Sequence, residues 1–94
     1  MNIKEKVIVI TGAGQGLGRQ FAIDCVLEGA KVALADININ AVEQVTKECI
    51  EAGGEAHFYQ IDVKSEDQVV EFYDQVVKDF GYLDASINNA GILR

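Results

Sequence analysis

Short apolar runs alternate along the chain with longer segments in which apolar residues recur every three or four positions. Lys6 to Thr11 (Lys-Val-Ile-Val-Ile-Thr) is a continuous β-branched run, the pattern of a strand buried on both faces. After a glycine cluster, Leu17, Phe21 and Cys25 recur at helical spacing with Ala22 and Val26 beside them, and Gly29 closes that helix. Lys31 to Asp36 is a second strand. Asn40 predicts the start of a second helix, its side chain capping while Glu43 reaches back. Val42, Val45 and Cys49 form the inner stripe of that helix and Gly53-Gly54 its end. Ala56 to Asp62 is the third strand. Ser65 opens a third helix, with Glu66 and Asp67 in its first turn and Gln68 completing a capping box. Its stripe is Val69, Phe72, Tyr73, Val76, Val77 and Phe80, ended by Gly81, and Leu83 to Asn88 is the fourth strand.

The order is β-α-β-α-β-α-β, with no Pro and no linker-like stretch. Strands separated by helices cannot pair as hairpins and must pair in parallel through right-handed crossovers. The pattern therefore predicts an α/β, doubly wound parallel sheet of strand order 3-2-1-4. The first two helices fall on one face and the third on the other. Residues 1–94 make one domain and leave no room for a second.

Charge narrows the partners. Eight Lys and Arg against fifteen Asp and Glu give a net charge of −7, which repels nucleic-acid phosphate and anionic membrane surfaces. No apolar run approaches the ~18–20 residues of a membrane span, and the start of the chain lacks signal-peptide features. Two Cys and one His do not supply a usual metal-ligand set. A cytoplasmic protein with reduced thiols is the expectation, with no nucleic acid, membrane or metal as partner.

The chemistry concentrates at Thr11-Gly12-Ala13-Gly14-Gln15-Gly16-Leu17-Gly18, between the first strand and first helix. Glycines there let the chain turn sharply and let a pyrophosphate approach the helix start, where free N–H groups and the helix dipole favour negative charge. A P-loop requires Gly-Lys-Ser/Thr, which is absent. The G-x-G-x-x-G spacing also fails, because Leu17 stands three after Gly14 and Phe21 three after Gly18. What fits is T-G-x-x-x-G-x-G, carried by Thr11, Gly12, Gly16 and Gly18. Asp36 ends the second strand, where a carboxylate accepts hydrogen bonds from adenosine ribose hydroxyls and repels a 2′-phosphate. Ile37 follows it rather than Arg, and Gln15 occupies a loop position often basic in phosphate-tolerant sites. NAD is thus favoured over NADP. The competing reading of Asp36 is a solvated strand-end acid or helix cap.

These residues resemble the short-chain dehydrogenase/reductase family, classical type. The likeness rests on Thr11-Gly12-x-x-x-Gly16-x-Gly18, then Asp62-Val63, then Asn88-Asn89-Ala90-Gly91, in matching order. The resemblance implies a Rossmann-like fold, here extending only through the fourth strand, as the N-terminal part of a single NAD-binding domain. It implies cofactor-binding roles for Gly12, Gln15, Gly16, Leu17, Gly18, Asp36 and Ile37. Asp62 would contact the adenine amino group, Val63 would pack beside the ring, and Asn88, Asn89, Ala90 and Gly91 would line the ribose and steady the central strand. Asp62 read alone is better taken as a cap of the turn before Ser65, and Asn-Asn-Ala-Gly as a strand-ending turn.

By the same resemblance the activity is hydride transfer between NAD and an alcohol or ketone, by a homo-oligomeric oxidoreductase. Its Tyr-x-x-x-Lys pair is absent: Tyr59, Tyr73 and Tyr82 are followed four residues on by Val63, Val77 and Ser86. No catalytic residue is assigned, and residues 1–94 alone are expected to be inactive. Two other readings stand beside this one. One is a catalytically silent nucleotide-binding module. The other is a methyltransferase-like nucleoside binder, disfavoured because Thr11 stands where such proteins carry an acid. Cys25 and Cys49 read as core fillers and His57 as a surface or packed residue. The fourth strand, bare of Pro and Lys, is expected to be an unprotected edge that promotes self-association.

Overall fold

The computed structural model describes residues 2–89. Its elements are β1 (Val7–Thr11), α1 (Gly16–Leu27), β2 (Lys31–Asp36), α2 (Ile39–Glu51), β3 (Ala56–Gln60), α3 (Glu66–Phe80) and β4 (Ala85–Asn88). The four strands form one parallel sheet in the expected order, β3-β2-β1-β4, consistent with right-handed crossovers. Val9 sits in register with Ala33 on one side and Ser86 on the other, which aligns the carboxyl ends of β1, β2 and β4.

Alternation along the two central strands divides the core into two layers. Ile8, Ile10, Val32 and Leu34 pack with Ala22, Cys25 and Val26 of α1 and Val42, Val45 and Cys49 of α2. Val7, Val9, Ala33 and Ala35 face Phe72 and Val76 of α3. The small residues Ala33 and Ala35 leave room for the Phe72 ring. Both central strands are buried on both faces, and β3 and β4 are mostly exposed edges among the described residues.

The structure corrects several local expectations. The inner stripe of α1 is Gly18, Ala22, Cys25 and Val26, while Leu17 is 51% exposed. The helix begins at Gly16, and a glycine occupies its inward position so that the axis can approach β1. The cap of α2 lies two residues before the predicted one: Asn38 Oδ1, not Asn40, accepts from the Ala41 amide at 3.1 Å. Ser65 caps α3 by accepting from Gln68 N at 3.3 Å, but the Gln68 side chain reaches past it to Asp62 N at 2.8 Å. Val77 lies outside the α3 stripe and is exposed, one residue's rotation away from buried Val76. Strand β3 ends at Gln60 and β4 begins at Ala85. In front of β4, Asp84 binds Val7 twice: its Oδ2 accepts from Val7 N at 2.8 Å, and its N donates to Val7 O at 3.0 Å.

Candidate functional site

A cleft of about 660 Å³ opens at the carboxyl ends of the strands, the place where parallel α/β sheets bind ligands. Gly12, Gln15 and Gly16 line it from the β1–α1 loop, Asp36 and Ile37 from the end of β2. Ile61, Asp62, Val63 and Lys64 follow β3, and Asn89 follows β4. Of the residues expected at a cofactor site, Gly12, Gln15, Gly16, Asp36, Ile37, Asp62, Val63 and Asn89 are thus brought together.

The other expected residues stand differently. Gly18 is buried beneath the loop, and Leu17 is exposed outside the lining. Asn88 also lies outside the lining, its Oδ1 accepting from Ser86 Oγ at 3.1 Å. Ala90 and Gly91 lie outside the described residues.

The loop has two kinds of glycine. Gly12 and Gly16 have φ of +65° and +60°, a conformation that L side chains rarely adopt. Gly18 is needed for space: a Cβ there would collide with the Gly12 carbonyl oxygen and lie 2.9 Å from Asn89 Nδ2. Between them, Gln15 occupies the N-cap of α1 in extended conformation and makes no side-chain cap hydrogen bond. The other two helices are capped, by Asn38 and Ser65. With no acidic residue in its first turn, α1 presents an uncapped, positively polarised end at the cleft.

Asn89 is 4% exposed, and its Nδ2 donates to Gly12 O at 3.2 Å. Its Oδ1 is buried with no hydrogen-bond partner among the described residues. Asp36 Oδ2 accepts from Gly14 N at 2.8 Å and Oδ1 from Asn38 N at 3.0 Å. Asp62 both lines the cleft and caps the turn that follows it, its Oδ1 accepting from Lys64 N at 3.0 Å. The two readings of Asp62 open in the sequence are therefore compatible.

Three residues escaped sequence reasoning. Ile61 adds an apolar wall, and Lys64 is the one basic residue among the described residues lining the cleft. Gly14, a free position of the motif, is buried and bonded to Asp36. An available signal for Lys64 and Ile61 was their adjacency to Asp62-Val63.

The remaining chemistry-bearing groups lie elsewhere. Cys25 and Cys49 are free and buried, and desolvation pushes both thiols up, Cys49 to about 11. The exposed His57 packs edge-on against Phe80 with ring centroids 4.8 Å apart. Tyr59 donates to Asp79 Oδ2 at 2.8 Å, and burial together with that carboxylate pushes its hydroxyl well above the ordinary tyrosine range. Among the described residues no His, Cys, Asp or Glu group is placed to hold a metal ion, and no helix is long and apolar enough to cross a membrane.

Comparison with known proteins agrees with this geometry. Human 15-hydroxyprostaglandin dehydrogenase [NAD(+)] is 42% identical over 95 aligned positions, covering 98% of this chain and 35% of that protein. The 7alpha-hydroxysteroid dehydrogenase of Escherichia coli K12 is 35% identical over 91 positions, covering 97% of this chain and 36% of the relative. This chain therefore spans about a third of the length of these curated relatives. Among solved structures, an Escherichia coli hydroxysteroid dehydrogenase superposes with a TM-score of 0.90 at 33% identity, over 93% of this chain and 37% of its own. An NAD+-bound xylitol dehydrogenase gives 0.88 at 38% identity, over 92% of this chain and 33% of its own. The sequence profile described as short chain dehydrogenase matches residues 6–94, and the chain belongs to the short chain dehydrogenase family.

Proposed function

We propose that the cleft binds NAD(H) by its adenosine half, as the N-terminal, cofactor-binding part of an oxidoreductase acting on a small alcohol or ketone. The observation that carries this reading is the juxtaposition of the uncapped α1 start and the Asp36 carboxylate on one cleft. The amides at the start of α1 hold the pyrophosphate, and Asp36 accepts from the ribose hydroxyls. Asp62 and Val63 hold the adenine, and Asn89 closes the cleft at the end of β4. NAD, when bound, supplies hydride acceptance and donation at its nicotinamide. Residues 1–94 contain no Tyr-x-x-x-Lys pair, so proton transfer is assigned to none of them. The reading includes a homo-oligomeric enzyme in the cytoplasm, where Cys25 and Cys49 stay reduced.

A catalytically silent nucleotide-binding module is the second reading. The two part on whether the full-length protein reduces NAD in the presence of secondary alcohols. For the binding reading, calorimetric titration compares NAD(H) with NADP(H). A 2′-phosphate beside Asp36 is a like-charge contact costing roughly 1–4 kcal/mol, so NAD(H) binds at least about fivefold more tightly. Tighter binding of NADP(H) by the unaltered protein overturns the assignment of Asp36.

A further inference from the structure

Strand β3 ends the sheet, with β2 as its one neighbouring strand among the described residues. The ladder between them decides which backbone groups of β3 are left over. Glu55 O accepts from Val32 N at 3.0 Å, and Ile61 N donates to Asp36 O at 3.2 Å. In a parallel pair alternate residues of a strand turn to the same neighbour. Glu55, His57, Tyr59 and Ile61 therefore turn their backbone groups towards β2, and Ala56, Phe58 and Gln60 turn theirs outward. Ala56–Gln60 contains neither Pro nor Lys, residues that commonly guard an exposed edge.

Beside this edge, between β3 and α3, lies a depression of about 270 Å³. Small-molecule sites occupy roughly 300–1,000 Å³, so this one suits a single side chain. Its floor is Tyr59, Ile61 and Phe72, with the two aromatic rings edge-on and their centroids 5.1 Å apart. Its rim is Gln60, Gln68, Glu71 and Gln75. The chemistry of their partners orients the three carboxamides. Gln75 Nε2 donates to the Asp79 carboxylate at 2.8 Å and Gln60 Nε2 to Ile37 O at 3.2 Å, which leaves each Oε1 as an acceptor. Gln68 Oε1 accepts from Asp62 N at 2.8 Å, which leaves its Nε2 as a donor. Glu71 has no hydrogen-bond or ion-pair partner among the described residues. The rim thus sets two amide oxygens and a carboxylate against one amide nitrogen, and the matching guest is a cation rich in donors. A guanidinium meets that demand with five N–H groups in a plane, on a stem apolar enough for the floor.

We propose that β3 and this depression together dock an extended, arginine-bearing segment of a partner protein. The segment adds a strand along Ala56, Phe58 and Gln60, and its arginine enters the depression. Main-chain hydrogen bonds supply affinity and the depression selects the side chain. A second copy of this chain is the poorer occupant: its β3 brings no Lys or Arg, and two chains of net charge −7 repel each other. The proposal does not depend on the cofactor reading.

The test is fluorescence anisotropy with the full-length protein and a labelled heptapeptide of alternating threonine and valine around one central arginine. Its companions are the same peptide with citrulline for arginine, two N-methylated versions (one for each alternate set of residues) and N-acetylarginine amide as a competitor. The arginine peptide is expected to bind with Kd between roughly 1 μM and 1 mM. Citrulline should weaken it at least ~tenfold through loss of the charge-assisted bonds, and one of the two N-methylated peptides should lose as much. Glu71→Gln should weaken the arginine peptide about threefold and leave the citrulline peptide unchanged. Equal binding of the arginine and citrulline peptides overturns the proposal, as does a Glu71→Gln variant that binds both as the unaltered protein does. Undiminished binding of both N-methylated peptides overturns it by removing strand addition. Competition by N-acetylarginine amide at the peptide's own affinity overturns it in favour of a site for small cations. Absence of binding at ~1 mM arginine peptide overturns it outright.

Discussion

Gly18→Ala sets two well-calibrated effects against each other at one position. Gly18 lies inside α1, where Ala is ordinarily better than Gly by about 1 kcal/mol. Helix propensity alone therefore predicts stabilisation. Against it, the new methyl group would be driven into the Gly12 carbonyl oxygen, 2.8 Å from the carbon of that carbonyl and 2.9 Å from Asn89 Nδ2. Two of those atoms are backbone and cannot swing aside, so the cost belongs at the upper end of overpacking, about 3 kcal/mol. Displacing Asn89 also removes its hydrogen bond to Gly12 O, worth about 1 kcal/mol. The balance is a net loss near 3 kcal/mol, a large share of the 5–15 kcal/mol that domains typically possess. With a urea m-value near 1.5 kcal/mol/M, the midpoint falls by about 2 M. Gly16→Ala is the control: nothing lies within 4 Å of its added Cβ, so it carries only the left-handed backbone penalty of about 1–2 kcal/mol. A Gly18→Ala midpoint equal to or above that of the unaltered chain would show that α1 does not approach the loop as described.

Two further outcomes follow from the core and from the sheet. Burial raises the Cys49 thiol from its ordinary value of 9.0 to about 11, so the folded chain holds that proton more tightly than the unfolded one. The contribution is fully present below pH 9 and is lost as pH rises towards 11; urea midpoints measured across that window should fall, and a flat profile contradicts the burial of Cys49. Asp84→Ala removes a charge-assisted bond to Val7 N at 2.8 Å; it should cost about 1–3 kcal/mol and accelerate hydrogen exchange at the β4 amides, and unchanged exchange there rules out this tether.

The fold was legible because its signals are redundant. A β-branched run buried on both faces, helical stripes and parallel crossovers all point to a doubly wound sheet, and the glycine loop after β1 fits the observed order β3-β2-β1-β4. Boundaries failed where two residues of the same type competed for one task. Asn38 and Asn40 are both competent caps, and Asn38 won because Asp36 Oδ1 holds its amide in the turn that precedes α2. The Leu17 error has a different origin. Periodicity ranks positions by the size of their apolar side chains, so it passed over a glycine as the inward residue of α1. The inner face is there because Gly18 is small, and Leu17 is outside because it is next to it.

The cleft shows the same division more sharply. Residues that act by chemical type could be named from sequence: the strand-end carboxylate Asp36, the turn acid Asp62 and the amide Asn89, each now placed on the cleft wall. Residues that act by excluding volume could not, because a motif records where glycine is demanded and is silent on why. Gly12 and Gly16 answer a demand of backbone conformation, and Gly18 one of helix approach. The last demand exists only once α1 is laid against the Gly12 carbonyl and the end of β4 delivers Asn89 beside it. It is a property of three segments meeting and of none of them separately, which is why the one-dimensional pattern shows the glycine and only the fold shows its reason.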